Sequence, residues 1–468
     1  MKKQLIITIV FMVVFTIIST GCKKDFLDIK PSTQIIQPTS LEEFQKLLDN
    51  TEIMNVGIGL GILASDEYAF SSDLLWQSSF TALSRNSYIW SKDLYEGEPC
   101  LHWNLPYSTI FYANNIVSGL EKIEVTNLNN KEWSRVRASA LFVRAFSYHD
   151  LVSNFSNTYD ATTSATDLGV PIRLKPSVDE LRPRSTVKEN FDQILLDLSI
   201  ASQLFNNDLP SARTRPSKAA VHALLSRVYL SMREYALAEL HSDSCLLLYN
   251  KLIDYKTLNK TATAPFGNNH DEQIYARLAI ADGTYTSIGN NTSIEMSKEI
   301  ISMYEPNDLR LPIYFSKQLD GTYDPKRTYY GNGGAFPFVG LATDEIYLIK
   351  AECLARRNEV SESMKFLNQL KIKRWDANAT IPAKPFQEII STTPEEALAA
   401  VLIERQKELV WRGLRWTDLK RLNKEGAAIT LTRTVNSNKY TLAPNDKRYV
   451  FPIPDNEVSL SGIPQNPR

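Results

Sequence analysis

The sequence predicts a mostly α-helical protein: a scaffold of about four stacked helix pairs, with large loop-rich insertions and a few short strands. Three observations predict it. First, Glu395–Asn423 reads as a helix, a tight break at Arg412-Gly413 and a second helix, with Leu398, Val401, Leu402, Arg405 and Leu409 at three- and four-residue steps. Second, a spacing of small and aromatic residues recurs along the chain, as a repeat of helix pairs requires. Third, the stretches 51–104 and 251–340 lose the helical period and fill with Gly, Ser and Tyr, between helical stretches at 105–250 and 341–425.

The chain opens Met1-Lys2-Lys3, followed by the apolar run Leu5–Ile18, broken only by Thr8 and Thr16, and then Ser19-Thr20-Gly21-Cys22. A positive start, a short apolar core and a small-residue exit read as a signal peptide over 1–21. A permanent span needs about 20 apolar residues. Small residues directly before Cys22 resemble a lipoprotein processing site, which implies acylation of Cys22 and a tether over 22–39; plain secretion is the alternative. The remaining cysteines, Cys100, Cys245 and Cys353, are odd in number and form no C-x-x-C, so neither a fully paired disulfide framework nor a zinc motif is expected.

Ser40 with Glu43 forms a capping box that opens a helix to about Asn50. Helical patterns follow at Leu105–Lys122 and Lys131–Phe155. Ser185 or Thr186 caps a helix that ends near Phe205. In Ser217–Leu248, small Ser226 is followed by Tyr229, a turn near Arg233, Ala238 and Cys245; Ala351, Leu354, a turn at Arg357-Asn358 and Ser363 repeat the scheme. This spacing is tetratricopeptide-like: small residues sit where two helices cross closely. The Lys131–Phe155 helix with Val187–Phe205 makes a further copy, and Glu395–Asn423 a fourth. Such pairs stack because none buries its apolar face alone. In the fourth copy, Glu404, Glu408, Arg412, Arg415 and Asp418 cluster around the break. Arg–carboxylate forks pinning two helices are one reading, a solvated helix face the other.

Several motifs together resemble the SusD/RagB family. They are Glu404-Arg405, Glu408, Gly413, Arg415, Asp418-Leu419 and Arg421 near the C-terminus; Trp103, Tyr107, Ile110 and Ala113-Asn114 in an early helix; Arg144-Ala145 and Tyr148; Arg184-Ser185-Thr186-Val187; Pro452-Ile453-Pro454; and Gln465-Asn466-Pro467. The resemblance spans nearly the whole mature chain in order. It implies one unit over 40–468 with an extended tail at 440–468. It also implies a surface-exposed, lipid-anchored outer-membrane protein that captures an oligosaccharide or other nutrient oligomer. The partner it implies is a SusC-like TonB-dependent outer-membrane barrel, with this chain as its lid.

Composition narrows the chemistry. Lys plus Arg is 52 against 53 Asp plus Glu, so nucleic-acid binding has no electrostatic support. His102, His149, His222, His241 and His270 are scattered, with no H-E-x-x-H, and no nucleophile elbow or phosphate loop stands in the required context. No catalytic residue, metal or cofactor is expected; whether calcium orders a loop is unreadable here. The adjacent acids Asp66-Glu67 and Asp344-Glu345 read as caps, Asp344 of a helix and Asp66 of a loop.

Sugars present C–H faces that stack on flat rings and hydroxyl edges that bond amides, carboxylates and guanidinium groups. Candidate platforms are Trp76, Phe80, Tyr88, Trp90 and Tyr95 in the first loop-rich region, and Tyr285, Tyr323, Tyr329, Tyr330 and Phe336 in the second. Candidate polar partners are Asp73, Arg85, Asn290 and Asn332. The bland alternative is that these rings anchor long loops to the scaffold. Two other functions stay open: a tetratricopeptide-type protein-binding adaptor, and a surface glycan hydrolase using two carboxylates.

Overall fold

Helix α1, Leu41–Leu48, starts where its capping box requires: Glu43 N donates to Ser40 Oγ at 3.3 Å and Ser40 N to the Glu43 carboxylate at 3.1 Å. It buries Phe44 against the end of the helix Leu101–Leu120, where a Cβ on Gly119 would stand 2.2 Å from the ring. The computed structural model describes residues 38–468, apart from 80, 178, 287–292, 327–328 and 332–335. The expected leader 1–21 and Cys22 lie outside the described residues. Ser40–Arg468 gather into one unit.

The first loop-rich region is less irregular than its composition suggests. It holds strand β1 (Val56–Gly57), helix α2 (Leu60–Ala64), strand β2 (Tyr68–Phe70) and helices α3 (Asp73–Gln77) and α4 (Ala82–Tyr88). Ser72 and Thr81 cap α3 and α4 through their hydroxyls. Helix α5, Leu101–Leu120, begins before the expected Leu105 and carries Pro106 inside it, where the ring forgoes one helix hydrogen bond.

Helix α6 (Asn130–Phe155) packs between α5 and α7 (Val187–Leu204). From Val136 onward it is buried on nearly every side, as a helix enclosed by neighbours must be. The capping box of α7 uses Thr186 and Glu189. Arg144 forks onto Asp197, Nε–Oδ2 and Nη2–Oδ1 both at 2.7 Å, fastening α6 to α7. Asn114 Oδ1 accepts from Arg144 Nη1 at 2.8 Å, while its Nδ2 donates to Arg173 O at 2.9 Å. The amide thus joins α5, α6 and the connection between α6 and α7.

Helices α8 (Lys218–Met232) and α9 (Tyr235–Leu248) turn through Arg233, whose φ of 65° gives a left-handed helix end. Their close crossing is visible in Ser226 Oγ, 2.7 Å from Ser242 Oγ. Past the second loop-rich region, α10 (Thr343–Arg356) and α11 (Val360–Lys371) cross in the same way, with Ser363 Oγ donating to Ala351 O at 2.8 Å. Helix α9 packs on α10, and Glu239 ties them by accepting from Lys350 at 2.7 Å and Arg357 at 2.8 Å.

The fourth pair is α12 (Pro394–Glu408) and α13 (Arg415–Lys424). Trp411 and Gly413 between them have φ of 62° and 72°. Helix α12 lies on α10 and α11, whereas α13 lies on α2 and α8. Ion pairs hold both. Arg405 donates to Asp418 at 2.8 Å, Arg412 to Asp344 at 3.1 Å, and Arg415 forks onto Asp66 at 2.8 and 2.7 Å. Glu404 and Glu408 accept from Arg310 at 2.7 and 3.0 Å, and Glu408 also from Arg374 at 2.8 Å. Asp66 and Arg415 are half-buried and the other groups are buried, so the pinning reading holds and the solvated-face reading does not.

The strands form two-stranded pieces. Strand β3 (Gln273–Tyr275) pairs with β8 (Leu341–Ala342), and β1 runs parallel to β4 (Leu278–Ala279). Strand β2 pairs antiparallel with β5 (Ile294–Met296), β6 (Phe315–Lys317) with β7 (Tyr323–Pro325), and β9 (Leu431–Val435) with β10 (Asn438–Leu442). Ile313-Tyr314 closes a short helix before β6. The tail is not extended throughout: it begins in β10 but contains helix α14 (Asp455–Ser461). Between these, Phe451 and Ile453 enter the core. Trp416 stacks on Phe451 at 5.5 Å, and Asn466 Nδ2 bridges Phe155 O and Phe451 O, both at 2.8 Å.

Candidate ligand-binding face

The β2–β5 pairing brings the two loop-rich regions together, matching Tyr68 with Met296, Ala69 with Glu295 and Phe70 with Ile294. Beneath it lies an apolar cluster of Tyr68, Tyr88, Ile294, Met296 and Phe315. On this cluster, half-buried, rest Phe70, Trp76, Tyr323 and Tyr440. The rings are fixed from below. Phe70 meets Tyr88 edge-on with centroids 4.8 Å apart, and Trp76 Nε1 donates to Arg85 O at 3.1 Å. The Arg433 guanidinium lies 3.7 Å over Tyr88 and bonds Tyr88 O and Ser65 O. A half-buried ring with a locked edge offers a pre-oriented face, which is what stacking on a planar group needs.

Polar groups border the rings. Exposed Asp73 accepts from Asn436 N at 2.9 Å, and Gln77 Nε2 donates to Asn436 Oδ1 at 3.1 Å, so α3 is tied to the β9–β10 turn. Arg85 donates to Ser79 O at 3.0 Å and stands 3.7 Å from Glu96, steadying the α3–α4 turn. Buried Asp282 accepts from Ser84 Oγ at 2.7 Å and Thr284 N at 2.8 Å, which holds the start of the segment leading to Tyr285 against α4.

The expected platforms therefore divide. Trp76 and Tyr323 share one cluster. Tyr88, Trp90, Tyr95 and Tyr329 are buried and give no ring face to a ligand. Their polar tips explain why: Trp90 Nε1 donates to Ala64 O at 3.0 Å, Tyr95 OH to Pro452 O and Tyr329 OH to Glu272, both at 2.6 Å. A long loop needs anchors of its own, and a large ring with one polar end serves both needs. Tyr330 is half-buried on a separate cluster around Phe266 and Phe338, and Phe336 is half-buried. Phe80, Asn290, Asn332 and the Tyr285 side chain lie outside the described residues. The sequence reading missed Phe70, although the alternation Tyr68-Ala69-Phe70 marks a strand with both rings on the face opposite Ala69, and the two rings lie 5.9 Å apart.

The adjacent acids are not caps but structural partners. Asp66 and Asp344 take the arginines named above, and Glu345 accepts the Arg227 fork at 2.8 and 2.6 Å. Burial pushes the Glu67 carboxyl up to about 8, with the Asp66 charge adding to it. Among the described residues no group of three or more His, Cys, Asp or Glu is placed to hold a metal, and no helix is long and apolar enough to cross a membrane.

Two family models match the chain: one described as "Starch-binding associating with outer membrane" over residues 25–230, and the SusD family over 251–468. A SusD-like protein of Formosa agariphila is 24% identical over 435 residues, covering 78% of this chain and 79% of its own. A SusD superfamily crystal structure from Bacteroides thetaiotaomicron superposes with a TM-score of 0.74 at 21% identity, covering 92% of this chain and 100% of that one. A SusD-like carbohydrate binding protein from Bacteroides vulgatus gives 0.66 at 19%, covering 91% and 97%. The helix pairs, the order of the motifs and these matches lead to one conclusion: the chain belongs to the SusD/RagB family.

Proposed function

We propose that the protein captures an oligosaccharide on the Phe70–Trp76–Tyr323 face and passes it, as a lid, to a SusC-like TonB-dependent barrel. It is held at the outer-membrane surface by acyl chains on Cys22. The observation that carries the reading is that both loop-rich regions supply half-buried rings to one cluster through β2–β5. Asp73, Gln77 and the β9–β10 turn stand beside the rings, where they can bond sugar hydroxyls. Capture needs no bond to break. The family's association with the outer membrane supports the location, and the likeness to the carbohydrate binding protein of Bacteroides vulgatus supports a carbohydrate ligand.

The test is affinity-gel retardation and Trp fluorescence against plant, host and microbial glycans, beside a reducing-sugar assay. Trp76→Ala and Tyr323→Ala should each weaken glycan binding about ten-fold, the loss of one stacking surface. Cys22→Ser should release the protein from the membrane fraction, and the native protein should co-purify with a large β-barrel. Sugar release that survives repurification would overturn the reading in favour of a hydrolase. Binding untouched by both ring deletions would move the site elsewhere.

A further inference from the structure

We infer that the protein carries a second ligand pocket, away from the Trp76 face, built to take a saccharide bearing a carboxylate. The pocket, of about 370 Å³, opens between the first half of α5, the segment 171–177 and α14. It is within the range of small-ligand sites, which begin at roughly 300 Å³. Tyr107, Phe111 and Tyr112 line it, each half-buried, and Asn104 is exposed at its rim. No hydrogen bond from the Asn104 side-chain amide occurs among the described residues.

Arg173 decides the chemistry. Its backbone is pinned at three points: its N donates to Tyr148 OH at 2.7 Å, and its O accepts from Tyr148 OH at 2.7 Å and Asn114 Nδ2 at 2.9 Å. Its side chain makes no hydrogen bond among the described residues. The guanidinium carbon lies 5.2 Å over the Tyr107 ring, and Nε is buried without a partner. The nearest carboxylate, Glu457, is 3.6 Å from Nη2, past hydrogen-bonding reach. A guanidinium fixed at its root, with donors unmet, is a receptor for a planar two-oxygen anion. Lys175 adds a second positive charge, and Glu457 is the single acid among the lining residues. The pocket therefore has an excess positive charge. The rings beside that charge suit the C–H face of a sugar. A uronic acid combines both features in one ring, whereas a neutral sugar would leave Arg173 as it stands.

The inference is tested on the full-length mature protein by isothermal titration with trigalacturonate. Its methyl ester, which has the same shape without the charge, is the control. Trigalacturonate should bind about ten-fold or more tightly than the ester, the effect of a charge-assisted pair. Arg173→Gln keeps the backbone anchors and should remove that preference, and Phe111→Ala should weaken both probes. Glu457→Gln removes the competing anion and should tighten trigalacturonate severalfold. Trigalacturonate binding that Trp76→Ala weakens and Arg173→Gln leaves intact would place the acid on the capture face and overturn the inference. Absence of trigalacturonate binding, equal binding of acid and ester, or indifference to Arg173→Gln would each overturn the inference. So would a preference for peptides with a free C-terminal carboxylate over the saccharide.

Discussion

The pair Arg144–Asp197 is the cleanest place to measure what holds the helix pairs together. The fork is buried, with side chains 7% and 1% exposed, and it joins α6 to α7. Besides it, Arg144 has Asn114 Oδ1 and Asp197 has Gln193 Nε2, each at 2.8 Å. Asp197→Leu leaves a guanidinium buried with one neutral acceptor, which should cost about 3–5 kcal/mol. Arg144→Met leaves a carboxylate with one amide donor and should cost a similar amount. Arg144→Met with Asp197→Leu removes both charges and refills the space, so the double variant should lie within about 1 kcal/mol of the parent. Unfolding entropy near 2.1 cal/mol/K per residue, over the roughly 430 residues of Ser40–Arg468, makes 4 kcal/mol worth about 4–5 °C in Tm. Urea titration followed by circular dichroism, with calorimetry on all four proteins, reads the cycle. If Asp197→Leu costs under about 1 kcal/mol, or the double variant is as unstable as the two singles summed, the fork does not couple the helices as argued.

Two further outcomes follow from single groups. Between pH 4.5 and about 8, folded Glu67 keeps a proton that the unfolded chain has released, so raising the pH across that window lowers stability, by at most about 5 kcal/mol. Glu67→Gln should flatten this slope in urea titrations at pH 5 and 8.5, and an unchanged slope would place the titration elsewhere. Gly119→Ala gains about 1 kcal/mol of helix propensity but drives a Cβ to 2.2 Å from buried Phe44. Overpacking of about 1–3 kcal/mol should win, giving net destabilisation that Phe44→Leu relieves; a stabilised Gly119→Ala protein would refute this.

Legibility followed the range of the interaction. Helix starts were readable at Ser40 and, to within one residue, at Ser185-Thr186, because a hydroxyl and a carboxylate three residues apart satisfy each other locally. The small residues Ser226 and Ser363 were readable as close crossings, because nothing larger fits there. The adjacent acids were misread as caps, since their partners Arg415, Arg412 and Arg227 lie 68 to 349 residues away. The rings divided for the same reason. Trp76, Trp90 and Tyr95 look alike in a Ser-rich stretch, and only the positions of Ala64 O and Pro452 O decide which of them are drawn inside.

By itself, the sequence determined the helical class, the paired repeats and the order of motifs that marks the family. These depend on periodicity, capping and composition, which are properties of neighbours along the chain. The tertiary structure alone decided which aromatic rings keep a face toward solvent and which acids are spent on arginines. It also decided that Arg173, pinned by its backbone, keeps a guanidinium without a hydrogen bond among the described residues. Each of those outcomes rests on contacts between segments far apart in the chain, where burial and partner geometry outweigh the identity of the residue.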